Sequence, residues 1–566
     1  MSLARTSTNV AASRYDYIVV GGGSAGCVTA WRLVRDFGAR VLLLEAGWPD
    51  DHPLIRMPAG FVRIIFNPGR FVTAYQSEPQ SALGGRSVNI LQANVLGGGS
   101  SVNAMTYTRG TRADYDRWDH AIGGCGWAWA DLLPHFVRLE ANQRLGAPYH
   151  GTSGPLKVSD AHHPMTDVSR ACLLALQELG IPFTPDINAG DERGATCIQS
   201  TTYHGERWSA ARAFIAPLAN DPRLTIKYRS PGVRILFEGT RAVGVQYGVD
   251  GTRRTTQAFA NHEIILTAGA FVSPKLLMLS GVGPAPHLAA HGIDVRVDLA
   301  GVGQNMQDHN DATLAVSTDQ NYGYSGEDRG WRMVVNGLQY LLFKSGPVTS
   351  TGSEVTAFFN PEDLAGEPTV QLYCMGTLYP TPGSRKAPPP GATLFANLIA
   401  PKSRGSMRLR SSDPIDPPII DPGWLSQEED LRALVSGVRF LRRLTQTKPL
   451  QRMVTGELSP GAHVVSDGDL ANYVRNVTST NWHPVGSCRM GPDADPSAVL
   501  DAELRVRGTD NLRVFDASMM PAIIHANTNA PVMAIADRAV DLMMDVQKLR
   551  SPKHRREDAQ AVTHLG

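Results

Sequence analysis

The chain is 566 residues long, 42% of them hydrophobic, with 54 Lys and Arg against 53 Asp and Glu. Such a composition builds a large core and excludes disorder as the main state. The net charge of +1 gives no electrostatic case for nucleic acid or an anionic membrane as a partner. At roughly 150 residues per domain the length predicts three or four units. Six scattered cysteines form no C-x-x-C pair, which argues against a zinc ribbon or a disulfide framework and predicts a reduced, cytoplasmic protein. Neither a secretory signal core nor a run of about 18 apolar residues is found, so no transmembrane segment is expected.

Residues 1–14 are small and polar and read as a flexible arm. Tyr17-Ile18-Val19-Val20 predicts a short buried strand. Ala25, Val28, Trp31 and Val34 then recur at steps of three, one face of a helix, which Gly38 is suited to stop. Residues 41–44 form a second apolar strand, ended by Glu45. Continuous apolar strands around a helix predict a β-α-β unit in a parallel sheet covered on both faces. Residues 79–115, rich in Gly, Ser and Asn, read as a long functional loop. A further strand is expected over 262–268, closed by Gly269. A Pro-rich surface loop follows at 380–392, a last strand at 511–516, a terminal helix at 532–548 and a disordered tail at 549–566.

Between the first strand and helix lies Gly21-x-Gly23-x-x-Gly26. A chain that turns off a strand, approaches a pyrophosphate and starts a helix packed on the sheet excludes a Cβ at three such places. The helix N-terminus then offers free N–H groups and a positive dipole end to the phosphates. Glu45, 24 residues after Gly21, can accept both hydroxyls of an adenosine ribose. The same residues also spell Gly22-x-Ser24-x-Gly26, the nucleophile elbow of an α/β serine hydrolase. That reading is disfavoured because the elbow follows the first strand of the chain and leaves Glu45 unexplained.

Four further segments, 94–103, 269–283, 301–309 and 481–486, resemble signatures of the glucose-methanol-choline (GMC) oxidoreductases, in family order. The resemblance implies an α/β fold: a Rossmann-like FAD-binding domain assembled from 15–160, 205–318 and 460–548, and a substrate domain from 161–204 and 319–459 built on an antiparallel sheet. It implies FAD contacts from Gly21, Gly23, Ser24, Ala25, Gly26, Glu45 and Ala46, and from Gly97, Gly98, Ser100, Asn103 and Ala104, small residues that let backbone approach a flat ring. Ala268, Gly269, Trp482, Asp516, Ala517, Asn527 and Thr528 complete that set. Val102 matches the place where some members carry a His bonded to the flavin, so non-covalent FAD is expected.

The implied reaction is oxidation of a primary or aryl hydroxymethyl alcohol to an aldehyde, with hydride passing to flavin N5. His483 matches the catalytic base, and a neutral imidazole suits that role. Asn527 matches the second catalytic position and, being no base, would hydrogen-bond the substrate oxygen; His525 and Asn529 remain rivals for that place. A hydroxynitrile lyase of the same fold is the alternative. The electron acceptor is O2 or a quinone or carrier, and the polar Asn481 beside His483 favours the second. Glu354 falls where some relatives place an acid near a substrate cation. His150, His162 and His163 lack partners at metal-ligand spacing and read as surface loop, with no metal expected; Cys374 and Cys488 read as packing residues.

Overall fold

The structure, a computed structural model, describes residues 13–66, 68–161, 163–378 and 389–550, the side chains of 546–550 excepted. Two seven-stranded sheets organise it. In the first, Ser13–Val20 lies parallel between Val41–Leu44 and Thr255–Leu266, and Leu224–Lys227 extends it beyond Val41–Leu44. Thr255–Leu266 is the hub. Its first half pairs antiparallel with Arg241–Gly248, which in turn pairs with Gly232–Glu238. Its second half pairs parallel with Leu512–Val514. Ile18, Val19, Leu42, Leu43, Ile264 and Ile265 are wholly buried, as strands covered on both faces require.

The second sheet is antiparallel, in the order Val454–Ser459, Asn310–Thr318, Gly391–Leu398, Val370–Met375, Ser353–Phe359, Gly194–Cys197, with Ser479–Thr480 also beside Asn310–Thr318. Its side chains sort by the two-residue period of a strand. Leu314, Val316, Leu372, Cys374, Ala392, Leu394 and Ala396 enter a core with Leu176 of Asp167–Glu178 and Phe440 and Leu441 of Glu428–Thr445. The alternate residues Asp311, Thr313, Tyr373, Thr393, Phe395 and Asn397 face a large cavity.

Several boundaries differ from the sequence reading. The first strand begins at Ser13, inside the expected arm, whose residues 1–12 lie outside the described residues. The strand expected over 262–268 spans Thr255–Leu266, because its polar half gains a partner in Arg241–Gly248, and Gly269 opens the helix Gly269–Leu279 instead of closing a strand. Asn310–Thr318, assigned from sequence to the first domain, lies inside the second sheet. Gly391 and Ala392, read as loop, begin a central strand; 379–388 lie outside the described residues. The span 79–115 is not one loop: Asn89–Ala93 pairs with Val72–Gln76, and a helix starts at Arg112. The terminal helix runs Asn529–Arg550, three residues earlier than expected, with Pro531 in its first turn, where a missing N–H costs nothing. The expected tail beyond 550 is outside the described residues.

One buried acid joins the two ends of the chain. Asp537 of the last helix is fully buried and bonds Arg32 of the helix Ser24–Phe37, and His135 Nδ1 (2.7 Å) and Arg138 Nε (2.8 Å) of Trp129–Leu139. Asp541 bridges the same two guanidiniums at 2.6 and 2.8 Å. Removing one member of a buried ion cluster strands the charges that remain. Asp537→Ala is therefore expected to cost about 3 kcal/mol, read as a lower urea midpoint, whereas Arg170→Ala at an exposed pair should stay within about 0.5 kcal/mol of wild type.

Candidate active site

A cavity of about 1510 Å³ lies between the two sheets. Its first end is built where the strands of the parallel sheet stop. Gly21 has φ +110°, and a Cβ there would meet Thr267 O at 2.5 Å; only glycine makes this turn. Glu45 lines the same end. Its Oε2 accepts Gly22 N–H at 2.8 Å and its Oε1 accepts Gly47 N–H at 2.6 Å. Each oxygen keeps a lone pair, and burial pushes the carboxyl above its usual range. Gly23, Ser24, Ala25 and Ala46 also line the cavity.

The segment 97–104 closes over this turn. A Cβ on Gly98 would lie 2.7 Å from Gly23 Cα, so the two glycine stretches rest directly on each other. Ser100 Oγ donates to Gly97 O at 2.6 Å and accepts Ala210 N–H at 2.8 Å. Arg207, fully buried, donates from Nε to Ile55 O (2.9 Å) and from Nη1 to Ser100 O (3.1 Å) and Asn103 Oδ1 (2.7 Å). Burial pushes its guanidinium down to about 9, so it stays charged at neutral pH. Gly98, Asn103 and Ala104 line the cavity. Gly26, Gly97 and Ser100 are not among its lining: they pack the helix on the strand and hold the turn in shape.

The far end holds His483 and Asn527. His483 lines the cavity, and its Nδ1 lies 3.1 Å from His309 Nδ1. His309 Nε2 is 3.0 Å from Ile524 O. A carbonyl only accepts, so His309 carries its hydrogen on Nε2. Burial, with His483 beside it, holds His309 well below the ordinary histidine value. It is neutral, and its Nδ1 is an acceptor. His483 must then supply the hydrogen at its own Nδ1, which leaves its Nε2 as the free acceptor. Burial also lowers His483 to about 4, so the imidazole is unprotonated at neutral pH. Asp308, pushed up to about 7 by burial, accepts His483 N–H at 2.8 Å. Trp482 is held at φ +59°, its N–H on Thr480 Oγ1 at 2.7 Å; its buried indole N–H has no partner among the described residues.

Asn527 faces the same space. Its Oδ1 accepts Tyr373 OH (2.9 Å), Thr108 Oγ1 (3.1 Å) and Gln371 Nε2 (3.4 Å). With the carbonyl side so occupied, the amide NH2 is the group left to donate. His525, the rival from sequence, turns away and bonds the buried Asp114. Asn529 lines the cavity but its Oδ1 accepts Ser24 Oγ at 2.8 Å. That contact counts against the hydrolase reading: Ser24 Oγ has Asn529 and Gly97 O as partners, and no histidine is among its described contacts.

Ala268, Gly269, Ala517 and Thr528 contribute lining. Asp516 lines it too, but its carboxylate is consumed internally. Oδ2 accepts Gly269 N–H (2.9 Å) and Ser273 Oγ (2.5 Å), and Oδ1 accepts Ser518 N–H (2.9 Å) and Oγ (2.6 Å). Glu354 does not line the cavity. It accepts the hydroxyls of Ser169 (2.6 Å), Thr166 (2.9 Å), Ser350 (3.0 Å) and Tyr324. His150 is not on the surface as expected. It is buried between Glu140 (3.0 Å) and Asp186 (3.0 Å) beside Arg109. No metal-ligating cluster occurs among the described residues; His162 lies outside them.

The N- and C-terminal signatures of the GMC oxidoreductase family match residues 15–311 and 401–536. The chain belongs to the GMC oxidoreductases. It is 39% identical over 535 residues to an alcohol dehydrogenase [acceptor] of Pseudomonas putida, covering 94% of this chain and 96% of that one. A mitochondrial choline dehydrogenase of Mus musculus is 37% identical over 95% of this chain and 91% of its own length. A solved formate oxidase of Aspergillus oryzae, carrying a mutation studied for its effect on FAD modification, superposes with a TM-score of 0.87 at 27% identity, covering 95% and 99% of the two chains. GMC oxidoreductases bind FAD, and this one's cavity fits it. Glycine turns that admit no Cβ line one end, Glu45 presents two free lone pairs beside them, and an unpartnered indole N–H stands at the other end. Sequence reasoning missed His309, Arg207, Thr108, Gln371 and Tyr373. His309 ends the family-like segment 301–309, which was a signal; the others carried none.

The lowered His483 has a sign-defined consequence. Its folded value of about 4 lies below 6.5, so between them the unfolded chain binds the extra proton and stability falls as pH falls. Lowering the pH from about 7 to about 5 should cost wild type up to about 2 kcal/mol through this group alone, less for the part of the ring open to the cavity. His483→Gln should lose that much less in paired urea titrations. An equal loss in both proteins would show that His483 is not held neutral.

Proposed function

We propose that this GMC oxidoreductase binds FAD non-covalently and oxidises an uncharged primary or aryl hydroxymethyl alcohol to the aldehyde, with His483 as base. The carrying observation is the hydrogen-bond chain Ile524 O, His309, His483, which commits the His483 Nε2 lone pair to the cavity. Bound there, FAD supplies the hydride acceptor. His483 Nε2 takes the hydroxyl proton while its Nδ1–H remains on His309, and Asn527 donates its amide N–H to the alcohol oxygen. Gly23, Gly98 and Glu45 hold the dinucleotide, and Val102, which lines the cavity, offers no atom for a covalent link.

An apolar substrate body is supported by Phe61, Ile65 and Met105, which pack against Trp482 next to His483. The four hydroxyls on Glu354 leave it no free face for a cationic head group. We assign the first sheet and its segments to the cofactor and the second sheet to the substrate wall. Six free cysteines support a reduced compartment such as the cytoplasm. Asn481, whose Nδ2 donates to Asn397 Oδ1 at 2.7 Å on the cavity wall, makes the space beside the base polar and favours a quinone or carrier over O2 as acceptor.

His483→Ala should retain FAD, judged by its visible bands, but be reduced by alcohol without oxygen at least about 10²-fold more slowly, the usual worth of a general base. Near-normal reduction would remove His483 from the chemistry. For the wild type, bands bleached by alcohol should return slowly in air and quickly on adding a soluble quinone. Rapid return in air alone would make O2 the acceptor.

A further inference from the structure

The helix Gly330–Phe343 is turned inside out relative to an ordinary surface helix. Trp331, Val334, Val335, Leu338, Leu341 and Leu342 fall within an arc of about 120° at 100° per residue. Each of them is between 50% and 71% exposed. Phe343, at the C-terminal end, is 71% exposed. The buried face is the polar one. Asn336 Nδ2 donates to Glu327 O (3.0 Å) and Oε2 (2.9 Å), and Tyr340 packs inward one turn later. A soluble surface does not carry a contiguous apolar stripe of this size without a use.

We propose that this helix is a docking surface for an anionic lipid membrane, lying in the plane of the interface with its apolar stripe among the acyl chains. Its shape favours lipid over protein. The stripe is the crest of a protruding helix, not a groove, and its largest side chains stand out at both ends. The charge is complementary. The exposed apolar residues have no acid among them; Arg63, Arg329, Arg332 and Lys344 stand around them against Glu327, Asp328 and Glu206, with Arg329 Nε 3.7 Å from Asp328. Arg332 Nη1 reaches Glu327 at 2.6 Å and Lys344 Nζ reaches Glu206 at 3.1 Å. Both acids lie outside the helix and are less exposed, at 23% and 18%, than the cations they meet, at 47% and 41%, so the cations are the outward partners. Arg332 also stands over the Trp331 ring. An apolar face with aromatic ends and flanking cations is the pattern of an interfacial helix. No helix among the described residues is long and apolar enough to cross a membrane, so the contact is peripheral.

The position gives the contact a use. Arg329, Met333, Asn336 and Gly337, on the inner side of the same helix, line the cavity that holds His483. One element thus forms both the cavity wall and the outward stripe, and docking would bring that wall to the lipid surface. A lipid-soluble electron acceptor could then enter without crossing water; this consequence rests on the acceptor reading above, whereas the docking does not.

The test is co-sedimentation of the full-length protein with vesicles of about two parts phosphatidylcholine to one part phosphatidylglycerol, and with vesicles of phosphatidylcholine alone. Wild type should partition onto the mixed vesicles and more weakly onto the neutral ones. Leu338→Asp with Leu342→Asp, both on the exposed stripe, should retain native circular dichroism yet partition at least about tenfold less. Wild type that stays in the supernatant with both vesicles overturns the proposal, as does a variant that partitions equally well. A wild-type dimer in solution that ignores vesicles and becomes monomeric in the variant would place a second copy of the chain on this face and also overturn it.

Discussion

The site depends on a carboxylate that touches no part of it. Asp537 holds Arg32 on one side and His135 and Arg138 on the other. Arg32 lies two turns into the helix that begins at Ser24, and Asp537 two turns into the helix that begins at Asn529. The starts of both helices open on the same cavity, and Ser24 and Asn529 are hydrogen-bonded there. The buried ion cluster therefore fixes the distance between the first glycine turn and Asn527. A buried charge cluster is seldom the most stable way to fill a core; here it sets one register between two helices that run side by side from the cavity.

The second constraint is strand alternation. In Asn310–Thr318, Val370–Met375 and Gly391–Leu398, one set of side chains makes a core with the helices and the other makes the cavity wall. A slip of one residue in any of these strands would exchange the two sets. The wall residues are not free agents: Gln371 and Tyr373 grip Asn527, and Asn397 grips Asn481. The antiparallel sheet thus orients side chains carried by segments that follow these strands in the chain.

Where function rested on local pattern, the sequence was readable. Strand, glycine turn, helix, strand and Glu45 occur within 33 residues, from Ser13 to Glu45, and each is dictated by its neighbours. Where function rested on distant partners, it was not. His309 is one histidine of 16 until Ile524 O fixes its tautomer. His150 looked exposed because its partners, Glu140 and Asp186, stand 10 and 36 residues away. Asp516 lines the cavity, but the four donors on its carboxylate, from Gly269, Ser273 and Ser518, were not legible in the sequence. The near-zero net charge says nothing of placement: the cations of 329–344 stand beside an exposed apolar stripe and pair with Asp328, Glu327 and Glu206.

The hub strand Thr255–Leu266 also imposes an order in time. Its parallel neighbours are Ser13–Val20, made some 240 residues earlier, and Leu512–Val514, made some 250 later. The first glycine turn emerges early in synthesis, but the strand that flanks it arrives only near mid-chain, and the helix locked to it by Asp537 arrives almost last. Contacts so far apart in sequence form slowly and leave apolar strands uncovered meanwhile. Arg32, His135 and Arg138, all in the amino-terminal third, must therefore wait for Asp537 near the carboxyl-terminal end. A chain cut short before residue 512 would lack the sheet's last parallel strand and the helix that carries Asp537.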